Sequence, residues 1–236
     1  MWLCKVAERQ MLRPSFVPPP AIRALRDLTR YRVDLLAVRT PEKQRVEKLL
    51  EDALIKLSVV VSDPFGTSGR AIMAALIAGE RDPMTLADLA RGRLRAKTDR
   101  LIESLTGRFT EHHAFLLTQM LARIDGITAD IATVQTRIDA QMDELAPVVA
   151  ELDAIPGVGP VAAQMILTEI GTDMSRFPPP AHLTSWARFA PGVSELAGRP
   201  TGNAGTGKGN RYLARVVGEA AVSAARSYTV TLNPAA

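Results

Sequence analysis

Apolar positions recur at steps of three and four along most of the chain, the period of one face of an α-helix. After Pro18, Pro19 and Pro20, AIRALRDLTRYRVDLLAVR puts Ile22, Leu25, Leu28, Leu35 and Leu36 on one side and Arg23, Arg26 and Arg30 on another. Pro41 separates this stretch from a second predicted helix, EKQRVEKLLEDALIKLSVVVS, in which Val46, Leu49, Leu50, Leu54 and Leu57 keep the spacing. Asp63-Pro64-Phe65-Gly66 reads as a turn, SGRAIMAALIAG as a third helix stopped at Gly79, and TLADLARGRLRAK as a fourth. In that fourth helix Arg91, Arg93, Arg95 and Lys97 face several ways.

The pattern then becomes more regular. Leu117, Met120, Ile124, Ile127, Ile131, Val134, Ile138 and Leu145 alternate steps of three and four over about four heptads, interrupted where Gln141 takes an apolar slot. This is the spacing of a coiled coil and equally of one long helix in a bundle, so pairing with a second copy and pairing within the chain both stay open. Pro147 and IPGVGP end that helix and open a C-terminal unit with helices VAAQMILTEIG, AHLTSWARFA and NRYLARVVGEAAVSAARS. Strand-like alternation is absent except in VVVS, and the predicted class is mainly α. The implied divisions are residues 1–107, a coiled coil over 108–150, a C-terminal domain over 151–228 and a disordered tail over 229–236.

Composition narrows the class. With 47% apolar residues the chain can bury a core, and one cysteine, Cys4, excludes a disulfide framework or a multi-cysteine zinc site. No run approaches the roughly 18 apolar residues of a membrane span, so the expectation is a cytoplasmic protein with no membrane partner. The net charge of +4 is unevenly spread: +6 over residues 1–50, −3 over 51–150, −3 over 151–198 and +4 over 199–236. Two basic ends point to a polyanion, while a solvated helix face carries the same charges.

Ile155-Pro156-Gly157-Val158-Gly159-Pro160 before a helix has the form of a helix-hairpin-helix turn. Its glycines let backbone approach a phosphate, and the amides of the following helix attract the anion without reading sequence. An ordinary tight turn needs glycine just as much. Residues 202–208 satisfy G-x-x-x-x-G-K, yet Gly209 stands where a magnesium-binding Ser or Thr belongs. A glycine loop presenting Lys208, with Asn210, Arg211 and Arg215 following, suits phosphodiester oxygens better. His112, His113 and His182 lie apart from acids at ligand spacing, and no metal site is expected.

RPSFVPPPAIRALRDLTRYR, EKLLEDALIKLSVVVSD, FGTSGRAIMAALIAGERDP, IPGVGPVAAQMILTEIG, SWARFAPG and GKGNRYLARVVGEAA together resemble an insertion-sequence transposase of the one-ten family. These are DEDD transposases with a RuvC-like N-terminal domain, a coiled coil and a C-terminal transposase domain, acting as RNA-guided serine recombinases. The resemblance implies DNA transposition through a serine–DNA intermediate, with DNA and guide RNA as partners and magnesium as cofactor in intact members. It makes Gly157, Val158, Gly159, Arg199, Lys208, Asn210, Arg211 and Arg215 DNA-binding candidates, and Arg23, Arg26 and Arg30 backbone candidates.

The departures bear on chemistry. The family's four acidic ligands precede the segment matching WLCKVAERQ, so the expectation is a remnant truncated at both ends, holding no cofactor of its own. The family motif places its nucleophilic serine a few residues after Pro-Gly; here Pro191-Gly192 leads to Leu196 at that position, with Ser194 two residues away as the only substitute. Impaired catalysis is therefore expected. The alternative function is a non-catalytic or regulatory remnant that pairs through its heptads with itself or with an intact transposase.

Overall fold

Side chains three and four apart become the buried face of each helix, and the elements follow in chain order as α1 (Trp2–Glu8), α2 (Pro20–Asp52), α3 (Leu57–Val60), α4 (Thr67–Ile77), α5 (Pro83–Asp88), α6 (Thr98–Leu105), α7 (Glu111–Met142), α8 (Ala146–Asp153), α9 (Pro160–Ile170), α10 (Pro180–Trp186) and α11 (Arg211–Thr231). Segments of 3₁₀ helix cover Gly92–Lys97, Asp143–Leu145 and Met174–Arg176. The computed structural model describes residues 2–9, 11, 17–190, 195–196, 199–200 and 208–231. Two short strands, β1 (Glu195–Leu196) and β2 (Arg199–Pro200), pair antiparallel, and otherwise the fold is mainly α as the periodicity predicts.

Several boundaries differ from the sequence reading: the second predicted helix, expected to run on to Ser62, stops at Asp52 and resumes only at Leu57–Val60, with Leu54 exposed in the left-handed region at φ +63°. Helix α2 runs unbroken through Pro41, although proline offers no N–H to the carbonyl of Ala37. That loss, about 3 kcal/mol in a helix interior, is offset by burial on both sides of it, at Leu35, Val46 and Leu50. The predicted helix over residues 85–97 is divided instead, because Gly92 sits at φ +59° in the left-handed region, and a 3₁₀ segment follows. Finally, α11 continues through Thr231, past the end expected at Ser227, since no glycine or proline follows Gly218 before Pro234.

The chain divides into two units, Arg32–Gln135 and Met1–Tyr31 with Thr136–Ala236; α2 and α7 each contribute to both. This grouping cuts across the sequence boundaries at residues 107 and 150, because it follows contact in space and not chain order.

Within Arg32–Gln135, Val46 and Leu50 of α2 share one apolar core with Ile72, Met73 and Leu76 of α4, Leu86 of α5, Leu101 and Leu105 of α6, and Leu117, Leu121 and Ile124 of α7. The heptad face of α7 thus has a neighbour in its own chain. Polar pairs continue that contact: Arg123 Nε lies 3.3 Å from the buried carboxylate of Glu42, Arg39 Nη1 donates to Thr128 Oγ1 at 3.3 Å, and Arg32 donates to Gln135. Ile127, Ile131 and Val134 are half-buried.

In the other unit, Val158, Ala163 and Ala220 form a core flanked by Val149, Leu152, Ala162 and Ile166, which joins α8, α9 and α11.

Candidate nucleic-acid interface

The turn between α8 and α9 is shaped by two glycines with different tasks. Gly157 has φ +87°, and a Cβ there would lie 2.2 Å from the Ala220 carbonyl oxygen and 2.7 Å from the Ala224 nitrogen. Helix α11 therefore approaches the hairpin as closely as only glycine permits. Val158 is buried against the same helix and spends its amide on the Ile155 carbonyl at 2.9 Å. Gly159, the extended residue before α9, would have nothing within 4 Å of a Cβ placed on it. Packing accounts for Gly157 and Val158, and Gly159 faces open space.

The start of α11 is held from two sides. A Cβ on Gly209 would meet the Ala187 carbonyl at 2.2 Å, so the chain here lies directly on the end of α10. Asn210 caps the helix: its Oδ1 accepts from the amides of Tyr212 at 3.0 Å and Leu213 at 3.3 Å. Around this cap stand the cations. Lys208 is exposed, and Arg188, in the left-handed region at φ +58°, has its Cβ 3.2 Å from where a Gly209 Cβ would be. Neither has an acidic partner among the described residues. Arg211 lies over the Tyr212 ring at 4.6 Å and donates to its hydroxyl at 2.6 Å, while Arg215 pairs with Glu219 at 2.8 Å. Sequence spacing does not single out Arg188, although its motif SWARFAPG carries part of the family resemblance.

Asn210 also donates to Glu169, and this acid organises the unit. The Glu169 side chain is fully buried on α9. Arg30 grips it with Nε to Oε1 at 2.7 Å and Nη2 to Oε2 at 2.8 Å, and Arg26 Nε stands 3.5 Å from Oε2. Arg26 further donates to the carbonyls of Thr168 at 3.0 Å and Glu169 at 3.1 Å, and the hydroxyls of Thr29 and Thr168 meet at 3.0 Å. The bidentate hydrogen bonding by Glu169 raises the Arg30 pKa, whereas desolvation lowers that of Arg26 against the pull of Glu169. Arg30 also lies 4.9 Å over the Tyr212 ring. Of the three backbone candidates on α2, Arg26 and Arg30 thus direct their guanidinium groups to Glu169, and Arg23 is exposed without an acidic partner among the described residues. The sequence signal for Glu169 is a lone carboxylate inside the apolar run of α9.

Residues 149–233 match the family model described as Transposase IS116/IS110/IS902 family. The C-terminal region is thus similar to transposases of the IS116/IS110/IS902 family. The match takes in the hairpin, Glu169 and all of α11, a little over a third of the 236 residues. No curated protein and no solved structure matches the chain. At the level of the family the activity is DNA transposition and the partner is DNA.

Within the matched region Ser194 lies outside the described residues, while Leu196 and Arg199 are backbone partners across the β1–β2 pair. Among the described residues, no group of three or more His, Cys, Asp or Glu side chains is placed to hold a metal ion. Likewise, no helix among the described residues is long and apolar enough to cross a membrane.

Proposed function

We propose that the chain is a DNA-binding component of transposition whose C-terminal unit holds the phosphodiester backbone non-covalently at the start of α11. The observation that carries this reading is the meeting of Arg188 and Lys208, both without acidic partners among the described residues, beside Arg211 at a helix start fixed by Asn210 and Glu169. Cations on a fixed scaffold displace counterions from a duplex, so the contact is insensitive to base sequence and sensitive to salt. The finer reading of the chemistry follows from the serine position: the Leu196 side chain has no oxygen to form a phosphoserine bond. The chain then binds DNA without linking to it, and Ser194 is a bystander.

Fluorescence anisotropy on a labelled duplex, from about 50 to 200 mM salt, tests the site. Arg188→Ala with Lys208→Ala should flatten the log–log salt dependence by about 1.8, at roughly 0.9 per lost phosphate contact. An unchanged slope removes both residues from the interface. A DNA-bearing band that survives denaturing electrophoresis and disappears in Ser194→Ala overturns the non-covalent reading.

The half-buried row Ile127, Ile131 and Val134 supports a second reading, regulation by pairing with an intact transposase. A monomer by sedimentation, with or without such a transposase, rules that reading out.

A further inference from the structure

We propose that the Arg32–Gln135 unit carries a second seat for duplex DNA, a cationic groove walled by Arg91, Arg93 and Lys97 that binds the phosphodiester backbone without reading sequence. The proposal shares with the reading above only the choice of DNA as ligand.

The groove is hidden in the charge arithmetic. Residues 51–150 are net negative, yet residues 91–108 hold six basic side chains against Asp99 and Glu103. On a regular helix the arginines would point in several directions. The left-handed turn at Gly92 and the 3₁₀ segment after it bring Arg91, Arg93 and Lys97 to one groove of about 630 Å³, whose other wall includes Thr67 and Ser68 in the first turn of α4. The segment is pinned in place. The Arg91 amide donates to Ser68 Oγ at 3.0 Å, Arg95 Nε to the Ala90 carbonyl at 3.2 Å, and Lys97 Nζ to the Val60 carbonyl at 3.5 Å.

Val60 also lines a second groove of about 480 Å³, which adds Lys56 and Arg100 and one acid, Glu103. Among the described residues, none of these five cations has an acidic partner. The acid in the first groove, Asp63, faces its own turn, where Oδ1 accepts the Phe65 amide at 3.1 Å. Cations without acidic partners, lining two grooves that share Val60, attract a polymer with regularly spaced negative charge. A single strand would also need aromatic faces on which to stack its bases. No aromatic side chain among the described residues lines either groove, and the Phe65 ring lies under Lys43 Nζ at 4.7 Å. Hydroxyls and cations without a stacking platform suit the backbone of a duplex.

The test compares the full chain with Arg91→Ala/Arg93→Ala/Lys97→Ala, with Arg188→Ala/Lys208→Ala, and with all five substitutions, on duplex DNA and on single-stranded RNA of equal length. The triple variant should flatten the duplex salt slope by up to about 2.7, at roughly 0.9 per contact, and the five-fold variant should add both losses. Arg91→Lys/Arg93→Lys keeps the charge and should keep the slope, which separates lost charge from lost fold. A triple variant with an unchanged slope, beside a C-terminal double variant with a reduced one, overturns the groove and leaves the C-terminal reading intact; the reverse result does the opposite. Loss confined to RNA overturns the duplex as occupant, and failure of the unmutated chain to bind duplex overturns both sites.

Discussion

Arg30 and Glu169 meet side by side, Nε to Oε1 at 2.7 Å and Nη2 to Oε2 at 2.8 Å, the geometry in which a guanidinium uses both oxygens of a carboxylate. The acid is wholly buried and the arginine keeps about a third of its side chain in solvent. The two partners are therefore unequal. Removing the arginine leaves a buried charge with only Arg26 and Asn210 beside it, whereas removing the acid leaves a cation that water still reaches.

Arg30→Ala should destabilise the fold by about 3–5 kcal/mol in urea unfolding, the usual penalty for breaking a buried ion pair from one side. Glu169→Gln should fall below that, at about 2–3 kcal/mol, because Arg30 can turn toward solvent. Equal losses would mean that Arg26 and Asn210, and not Arg30, hold the acid.

The hairpin glycines should separate cleanly. Gly157→Ala faces the Ala220 carbonyl at 2.2 Å and a positive φ, and should cost several kcal/mol, on the order of an overpacked core with added backbone strain. Gly159→Ala has open space and an extended backbone, and should stay within about 0.5 kcal/mol. Paired melting curves of the two variants decide the matter.

Glu42 lies buried between Arg45, at 2.6 Å, and Arg123, at 3.3 Å. Glu42→Arg should lower the melting temperature, and adding Arg123→Glu should recover part of the loss. Since α2 and α7 face each other within one chain, the recovery should not change with protein concentration. Recovery that grows with concentration would place the pair between copies.

At the start of α5, the Asp82 carboxylate accepts the Thr85 hydroxyl at 2.6 Å and the Thr85 amide at 2.9 Å, and these bonds hold its pKa below the ordinary value. A carboxyl lowered in the folded state stabilises above its unfolded pKa of about 4, and that stability fades as pH falls through the folded value. Asp82→Ala should melt earlier at neutral pH, with the gap to the unmutated protein closing as the solution is acidified below about pH 4. A constant gap down to strongly acidic pH would mean that the cap does not act through its charge.

Most helices are legible in the sequence because burial in them is one-sided, so Val46 and Leu50, or Leu117 and Ile124, reveal their face by spacing alone. Pro41 misleads because propensity is local and the burial that overrides it is not. The start of α11 is half-legible. Lys208 and Asn210 announce themselves after a glycine run, but Arg188 joins them only through the contact of Gly209 with Ala187, which no spacing encodes. The arginines of α2 illustrate the same limit: their shared face is readable, and the buried acid that Arg26 and Arg30 answer to lies 139 residues beyond Arg30.

Helix α2 has one further consequence. It offers Leu25 to the interior of one unit and Leu50 to that of the other, along a single helix that does not break between them. Melting either unit would fray a helix that the other needs to stay whole, so the cost of opening is shared. Heated or titrated with denaturant, the protein should lose its structure in one cooperative step, with the calorimetric and van't Hoff enthalpies in agreement, although its chain folds into two units.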